Sequence, residues 1–146
     1  DGSLYTPEVF PVFNAYFDEG RYYGFPVFGI PGFKVGRYHH LEEVIDPDSA
    51  IKTVTGEDEA VLRSAVERYF PQANGTTMTL KTCMFTNTPD EHFIVDLLPG
   101  NTQVIVAAGF SGHGFKFASV IGEILSDLAI NGETEHNIDL LKIDRF

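Results

Sequence analysis

The chain has 146 residues, of which 43% are hydrophobic, and its thirteen Phe and six Tyr favour a packed core over disorder. Its formal net charge of −11 argues against partners that need a basic surface, namely nucleic acids and anionic membranes. We find no apolar run near the ~20 residues that span a bilayer and no signal-peptide pattern. The single cysteine excludes an intrachain disulfide and fits a reducing cytosol.

Strands are predicted in the N-terminal third of the chain. Aromatic and β-branched residues run from Val9 to Phe17, and strand character resumes from Arg21 to Phe28 after a turn. A break at residues 29–32 precedes another strand from Phe33 to Tyr38. The first residue is Asp1 rather than Met, which favours a processed or excised product, although a trimmed chain would look the same.

The first helix is predicted from Gly56 to Phe70. Thr55 is suited to its N-cap, acidic residues fill its first turn, and Pro71 ends it. Four residues at helical spacing form its apolar face: Leu62, Ala65, Val66 and Tyr69.

Three strands, a glycine-rich loop and a second helix are predicted after this helix. The helix begins near Phe115 and ends at Asn131-Gly132, and the tail could add one short strand. The pattern predicts an α+β fold in which strands outnumber the two helices. The predicted strands are Met78–Thr86, His92–Leu97 and Gln103–Ala108, the last two joined at Pro99-Gly100-Asn101.

The glycine-rich loop, residues 109–114, is a candidate anion site. A strand that runs through glycines into a helix leaves free backbone N–H groups, which favour negative charge together with the helix dipole. Lys116 adds a cation in the first turn, where it weakens the helix, and this indicates a functional role. The site could hold a phosphate, a carboxylate or the electron-rich edge of a cofactor ring. The alternative is an ordinary loop with a surface lysine, since the spacing is not a dinucleotide fingerprint.

For each of the other candidate residues, a purely structural role is the alternative to a functional one. Cys83 lies in a predicted strand and would be either a reactive thiol or a small buried hydrophobe. Lys34 would be either a solvated strand lysine or a cation facing a site, and residues 22–26 either line an aromatic pocket or pack the sheet. The histidines match no zinc spacing, so no metal site is predicted.

Several segments, read in order, resemble the C-terminal part of the monomeric sarcosine oxidase and N-methyltryptophan oxidase family of flavoenzymes. The similarity extends from about Pro11 to Phe146. The matching segments are Tyr22-Tyr23-Gly24-Phe25-Pro26, Gly32-Phe33-Lys34-Val35-Gly36, Ile45-Asp46-Pro47-Asp48, Cys83-Met84-Phe85-Thr86, Thr88-Pro89-Asp90-Glu91-His92-Phe93-Ile94 and Gly109-Phe110-Ser111-Gly112-His113-Gly114-Phe115-Lys116-Phe117.

The resemblance implies an FAD-dependent oxidation of the C–N bond of a secondary amino acid, with O₂ as the electron acceptor and H₂O₂ as a product. It implies that Cys83 forms the covalent link to the flavin and that Lys34 promotes the reaction with O₂. Lys116 corresponds to a lysine near the flavin pyrimidine edge and the substrate carboxylate. The resemblance further implies substrate contacts for Tyr23 and His113, flavin contacts for Gly112, His113, Gly114, Phe115 and Lys116, and a catalytic histidine at His39 or His40, of which we choose His39.

The resemblance also implies a division of the chain. Residues 1–82 would be part of the substrate domain, with a mixed or antiparallel sheet and helix packing. Residues 83–146 would contribute to the flavin site and supply the last strand, glycine loop and helix of a Rossmann-like FAD domain of the glutathione-reductase type. The dinucleotide fingerprint of that domain is absent from this sequence, so the N-terminal half of the enzyme is missing.

The sequence departs from the family at Phe85, where a tyrosine is expected, and at Asn14, where a methionine is expected. The substrate could therefore be N-methyltryptophan, pipecolate or another cyclic amine instead of sarcosine. The rival hypothesis is a stand-alone binding module that keeps the fold without the chemistry. We expect a cytoplasmic enzyme whose isolated fragment is inactive and need not hold FAD.

Overall fold

The computed structural model describes residues 2–49 and 53–146. The chain divides into two compact units, with the division between Thr82 and Cys83. Each unit contains one antiparallel sheet and one α-helix, so the predicted α+β class is confirmed. None of the helices in the described residues combines the length and apolar character that crossing a membrane requires.

The first unit contains a three-stranded sheet in the order β1 (Phe13–Phe17), β2 (Gly20–Phe25) and β3 (Lys34–Arg37). All three strands are shorter than the sequence predicted. Strand β1 starts after Pro11 and β2 stops before Pro26, because proline has no N–H to donate to a neighbouring strand.

Strand register separates two faces of this sheet, because side chains alternate along each strand. The inner face is the more buried one, and Tyr22 at its centre is 2% exposed. The inner face carries Phe13, Ala15, Phe17, Tyr22, Val35 and Arg37. The outer face carries Asn14, Tyr16, Arg21, Tyr23, Phe25 and Lys34.

Helix α1 (Gly56–Tyr69) buries Ala65 and Val66. The predicted N-cap at Thr55 is confirmed, and it is part of a capping box: Asp58 N–H donates to Thr55 Oγ1, and the Asp58 carboxylate accepts from Thr55 N–H at 2.7 Å. Aromatic rings fill the rest of the core, with centroid separations of 3.8 Å to 6.1 Å between neighbours. These rings belong to Tyr5, Phe10, Phe13, Phe17, Phe33, Tyr69 and Phe70.

The second unit is built on a hairpin of β4 (Ile94–Leu98) and β5 (Asn101–Ala108). Its turn is the one predicted, and Gly100 adopts the positive φ of 78° that the turn requires. Helix α2 (Ala118–Asn131) packs on this hairpin and ends at Gly132, whose φ is 76°. The buried core consists of Phe93, Val95, Ile121, Ile124, Leu128 and Ile138.

Two predicted elements of the second half are wrong, and the α-helical start of the second helix is shifted. Residues 78–86 form no strand, because β-propensity alone provides no pairing partner and the described residues offer none to this segment. The tail forms 3-10 helices at Asp139–Leu141 and Ile143–Arg145 instead of a strand. A 3-10 turn at Phe115–Phe117 precedes α2, so Lys116 lies outside the first α-helical turn.

Candidate functional site

The outer face of the first sheet brings together two of the predicted site residues. Lys34 Nζ lies 5.9 Å from the centroid of the Tyr23 ring and 5.1 Å from that of Phe25. A Cβ at Gly36 would overlap the Tyr23 ring, so the absence of a side chain there lets the ring lie flat against β3. Lys34 is exposed in this unit. As strand alternation predicted, it lies on the face opposite to Val35.

The two candidate histidines have different surroundings. His40 Nε2 lies 2.7 Å from Asp58 Oδ1, so this ring is held at the N-terminus of α1. The pKa of the Asp58 carboxyl is lowered by hydrogen bonds from the Thr55 backbone and from His40. His39 is exposed, has a left-handed backbone with φ 51°, and lies with its ring 6.5 Å from that of Tyr38. The choice of His39 stays a prediction.

The glycine-rich loop of the second unit is held in place by the hydrogen bonds of Ser111, a buried residue that is 4% exposed. Its N–H donates to Thr86 O at 3.1 Å, and its hydroxyl donates to Gly109 O at 3.0 Å. The same hydroxyl accepts from Thr88 N–H at 3.3 Å. Ser111 itself has a positive φ of 47°. These bonds tie the loop to the segment that follows Cys83 and over-determine a strained backbone.

Glycine is required at two points of this loop. Gly112 has a φ of 74°, and a Cβ there would lie 2.6 Å from the Phe85 ring. Gly109 has a φ of 64°, and a Cβ there would overlap the methyl group of Thr88. The loop backbone is therefore in close contact with residues 85–88.

His113 and Lys116 follow on the same loop. His113 Nδ1 lies 3.0 Å from Ser111 O, and its ring centroid is 4.9 Å from that of Phe93. Lys116 is exposed, with Nζ 5.1 Å from the Phe117 ring centroid. Both residues border a small cavity of about 300 Å³ whose other walls are mainly apolar side chains of α2. The described residues give Lys116 no salt-bridge partner.

Cys83 is exposed and lies outside any strand, which rejects the alternative of a small buried hydrophobe. The next residue in the sequence, Met84, lines a groove of about 910 Å³. Residues 84–86 form one wall, the glycine-rich loop forms another, and the N-terminal half of α2 forms a third. Phe115 lies at this groove and is 97% exposed.

Sequence reasoning missed Arg21 and the Arg145–Asp90 pair. Arg21 lies on the outer face with Asn14, Tyr23 and Lys34, and strand alternation could have placed it there. Arg145 binds Asp90 through two hydrogen bonds of 2.8 Å and 3.1 Å and also donates to His92 O at 2.8 Å. No local pattern signals that pair, because 55 residues separate its members.

Among the described residues, no three or more His, Cys, Asp or Glu side chains come together as ligands for a metal ion. His40 instead forms its hydrogen bond with Asp58, the carboxylate of the α1 capping box.

Comparison with known proteins gives a consistent picture. A family model for FAD-dependent oxidoreductases matches residues 3–128. The chain is 49% identical to the monomeric sarcosine oxidase of Bacillus sp. (strain B-0618), in an alignment that covers 99% of this chain and 38% of that protein. It is 34% identical to the peroxisomal sarcosine oxidase of Mus musculus, with 99% of this chain and 38% of that protein covered. It is also 34% identical to the N-methyl-L-tryptophan oxidase of Citrobacter koseri, with 100% and 39% covered. The chain thus spans less than two fifths of the length of these relatives.

Proposed function

The chain belongs to the FAD-dependent oxidoreductase family, and on this basis we propose that it is part of an oxidase of N-methyl or other secondary amino acids. The reaction takes two electrons from the C–N bond and delivers them to O₂, giving H₂O₂ and an imine that water hydrolyses. The named relatives act on sarcosine and N-methyltryptophan, which supports this class of substrate. The missing part of the enzyme would provide the dinucleotide-binding half.

The observation that carries this proposal is the groove lined by Met84, which follows Cys83 in the sequence, and by the glycine-rich loop. Gly109, Gly112 and Gly114 line it without side chains, and its volume of about 910 Å³ suits a flat ring system. The residues present therefore fit FAD, which would supply the electron acceptor for the amine and the electron donor for O₂. We assign the walls of the cofactor site to residues 112–116 and its covalent tether to Cys83, whose thiol is exposed.

Lys116 and His113 are proposed to bind the negative charge of the substrate carboxylate and of the cofactor edge. Lys116 lies in the turn before α2, and the N-terminus of that helix adds a positive partial charge. Such fixed positive groups stabilise charge that develops during the reaction without having to reorganise. The Nδ1 atom of His113 faces Ser111 O at 3.0 Å, which sets the orientation of the ring.

Lys34 and Tyr23 are proposed to act from the first unit. Negative charge develops on O₂ as it accepts an electron, and a nearby ammonium group lowers the barrier to that step. Lys34 forms no salt bridge among the described residues and lies against aromatic rings, so its charge is available for this role. Tyr23 is assigned to the substrate wall and His39 to catalysis. A reducing cytosol, in which the single thiol would stay free for the flavin, is the proposed compartment.

The test uses the full-length protein, wild type and Cys83→Ser. Wild-type protein precipitated with acid is expected to keep its yellow colour, and its intact mass to include one FAD. Cys83→Ser is expected to release the flavin on precipitation and to lose that mass increment. Production of H₂O₂ with sarcosine tests the reaction separately. A colourless wild-type protein that never oxidises a secondary amino acid would instead support a binding module without catalysis.

A further inference from the structure

Arg21 is held in one orientation on the outer face of the first sheet. Its Nε donates a hydrogen bond of 3.0 Å to Asn14 Oδ1 on the neighbouring strand. Its guanidinium carbon lies 4.2 Å from the Tyr38 ring centroid and 5.5 Å from that of Tyr16. One hydrogen bond and two aromatic contacts thus fix the plane of the guanidinium group.

The two terminal nitrogens of Arg21 have no hydrogen-bond acceptor among the described residues, and no carboxylate pairs with the group. Arg63, Arg68 and Arg145 each bind a carboxylate. A guanidinium group held by its Nε presents its two outer nitrogens in the geometry that a carboxylate binds bidentately.

Arg21 is close to the residues assigned to substrate and O₂. It lies two positions from Tyr23 on β2, about 7 Å along the strand. Lys34 pairs with Phe25, two positions further on the same side. Arg21, Tyr23 and Lys34 thus lie along the same face of the sheet.

We infer that Arg21, oriented by Asn14, is a specificity-determining residue that binds the second carboxylate of a dicarboxylic secondary amino acid. The inference rests on the proposed function, because that function assigns this face to the substrate. Asn14 is a positioning residue: its amide oxygen holds Nε, and the remaining nitrogens bind the ligand.

The experiment compares N-methyl-L-glutamate with N-methyl-L-glutamine, which has the same shape without the second charge, and uses sarcosine as the reference substrate. The full-length wild-type enzyme is expected to favour the glutamate derivative by about 10- to 100-fold in kcat/KM. Arg21→Met is expected to abolish this preference mainly through KM, and Arg21→Lys to keep part of it, since lysine retains the charge but not the paired geometry. Asn14→Leu should also reduce it. Lys81→Met, which removes a cation elsewhere in the first unit, should leave it unchanged.

Binding of glutarate, followed by calorimetry on the same enzymes, gives a readout without turnover. Wild-type enzyme is expected to bind glutarate at least about 10-fold more tightly than Arg21→Met does, with flavin absorbance and melting temperature showing that the variant is folded. Oxidation of sarcosine without any preference between the two N-methyl amino acids would overturn the role of Arg21 and leave the proposed function intact. No oxidation of any of the three amines would overturn both.

Discussion

Gly112 combines a positive φ of 74° with a ring placed where its side chain would be. Gly112→Ala is therefore expected to destabilise the chain by about 1–3 kcal/mol, the cost of a strained backbone together with displacement of the Phe85 ring. Urea unfolding of the chain followed by circular dichroism measures this loss.

Gly100→Ala is the matched control for this substitution. Gly100 has nearly the same φ of 78°, but a Cβ there would meet nothing within 4 Å. The decrease in the free energy of unfolding of Gly100→Ala should come from backbone strain alone and be smaller than that of Gly112→Ala. Equal losses in the two variants would mean that the contact between Gly112 and Phe85 adds nothing.

The single side chain of Lys34 is expected to affect the rate of the oxygen reaction. Lys34→Met in the full-length enzyme is expected to slow reoxidation of the reduced flavin by O₂ about 100-fold or more, because a fixed positive charge near O₂ is lost. Stopped-flow absorbance measures this step, and reduction by sarcosine under anaerobic conditions measures the other half-reaction. Lys81→Met removes an exposed lysine elsewhere in the same unit and should not alter either rate. Wild-type reoxidation in Lys34→Met would remove Lys34 from the oxygen reaction.

The tail of the second unit is held to the turn that precedes β4 by the Arg145–Asp90 pair. Hydrogen bonds from Arg145 keep the pKa of the Asp90 carboxyl well below its ordinary range, although partial desolvation opposes them. The ionised carboxylate therefore stabilises the folded form above a pH of about 4, and this contribution is lost as the pH falls below that value toward the folded pKa.

Arg145→Met is accordingly expected to lower the free energy of unfolding at pH 7, and its difference from wild type should shrink as the pH falls below about 4. Urea unfolding at a series of pH values checks both parts. Lys81→Met changes the net charge equally and controls for general electrostatics. A difference between Arg145→Met and wild type that is constant down to pH 3 would show that the tail is held by packing rather than by this ion pair.

Elements with a local cause could be predicted from the sequence. The capping box at Thr55 and Asp58, the Gly100 turn and the Gly132 cap are each set by a few adjacent residues. The strand predicted at residues 78–86 failed because its residues favour extended backbone but find no partner strand among the described residues. The Arg145–Asp90 pair and the Gly112–Phe85 contact depend on tertiary packing, which no local pattern encodes.

The candidate site was predictable to a similar extent. The resemblance supplied Cys83, Lys116 and Lys34, and the structure adds that Cys83 is exposed and that the next residue, Met84, lines a groove. Strand register adds Arg21 to the face that carries Lys34. Arg21 was missed because its significance depends on Asn14 and Tyr38, which lie on neighbouring strands.

The isolated chain is expected to lack sustained oxidase activity. It spans under two fifths of the length of its relatives, and a dinucleotide-binding strand, turn and helix does not occur in its sequence. Purified chain mixed with FAD and sarcosine should produce no continuing H₂O₂ in a peroxidase-coupled assay, whereas the full-length enzyme should. Steady turnover by the isolated chain would show that these residues alone suffice for cofactor binding and catalysis.

The exposure of Cys83 also has a practical consequence for the purified chain. The chain has one cysteine, so a flavin-free thiol that is oxidised in air can form a disulfide only with another molecule. Storage without reductant should therefore produce disulfide-linked dimers and no larger species, visible as one band at twice the monomer mass on a non-reducing gel. Protein whose Cys83 is already bonded to flavin should stay at the position of the monomer.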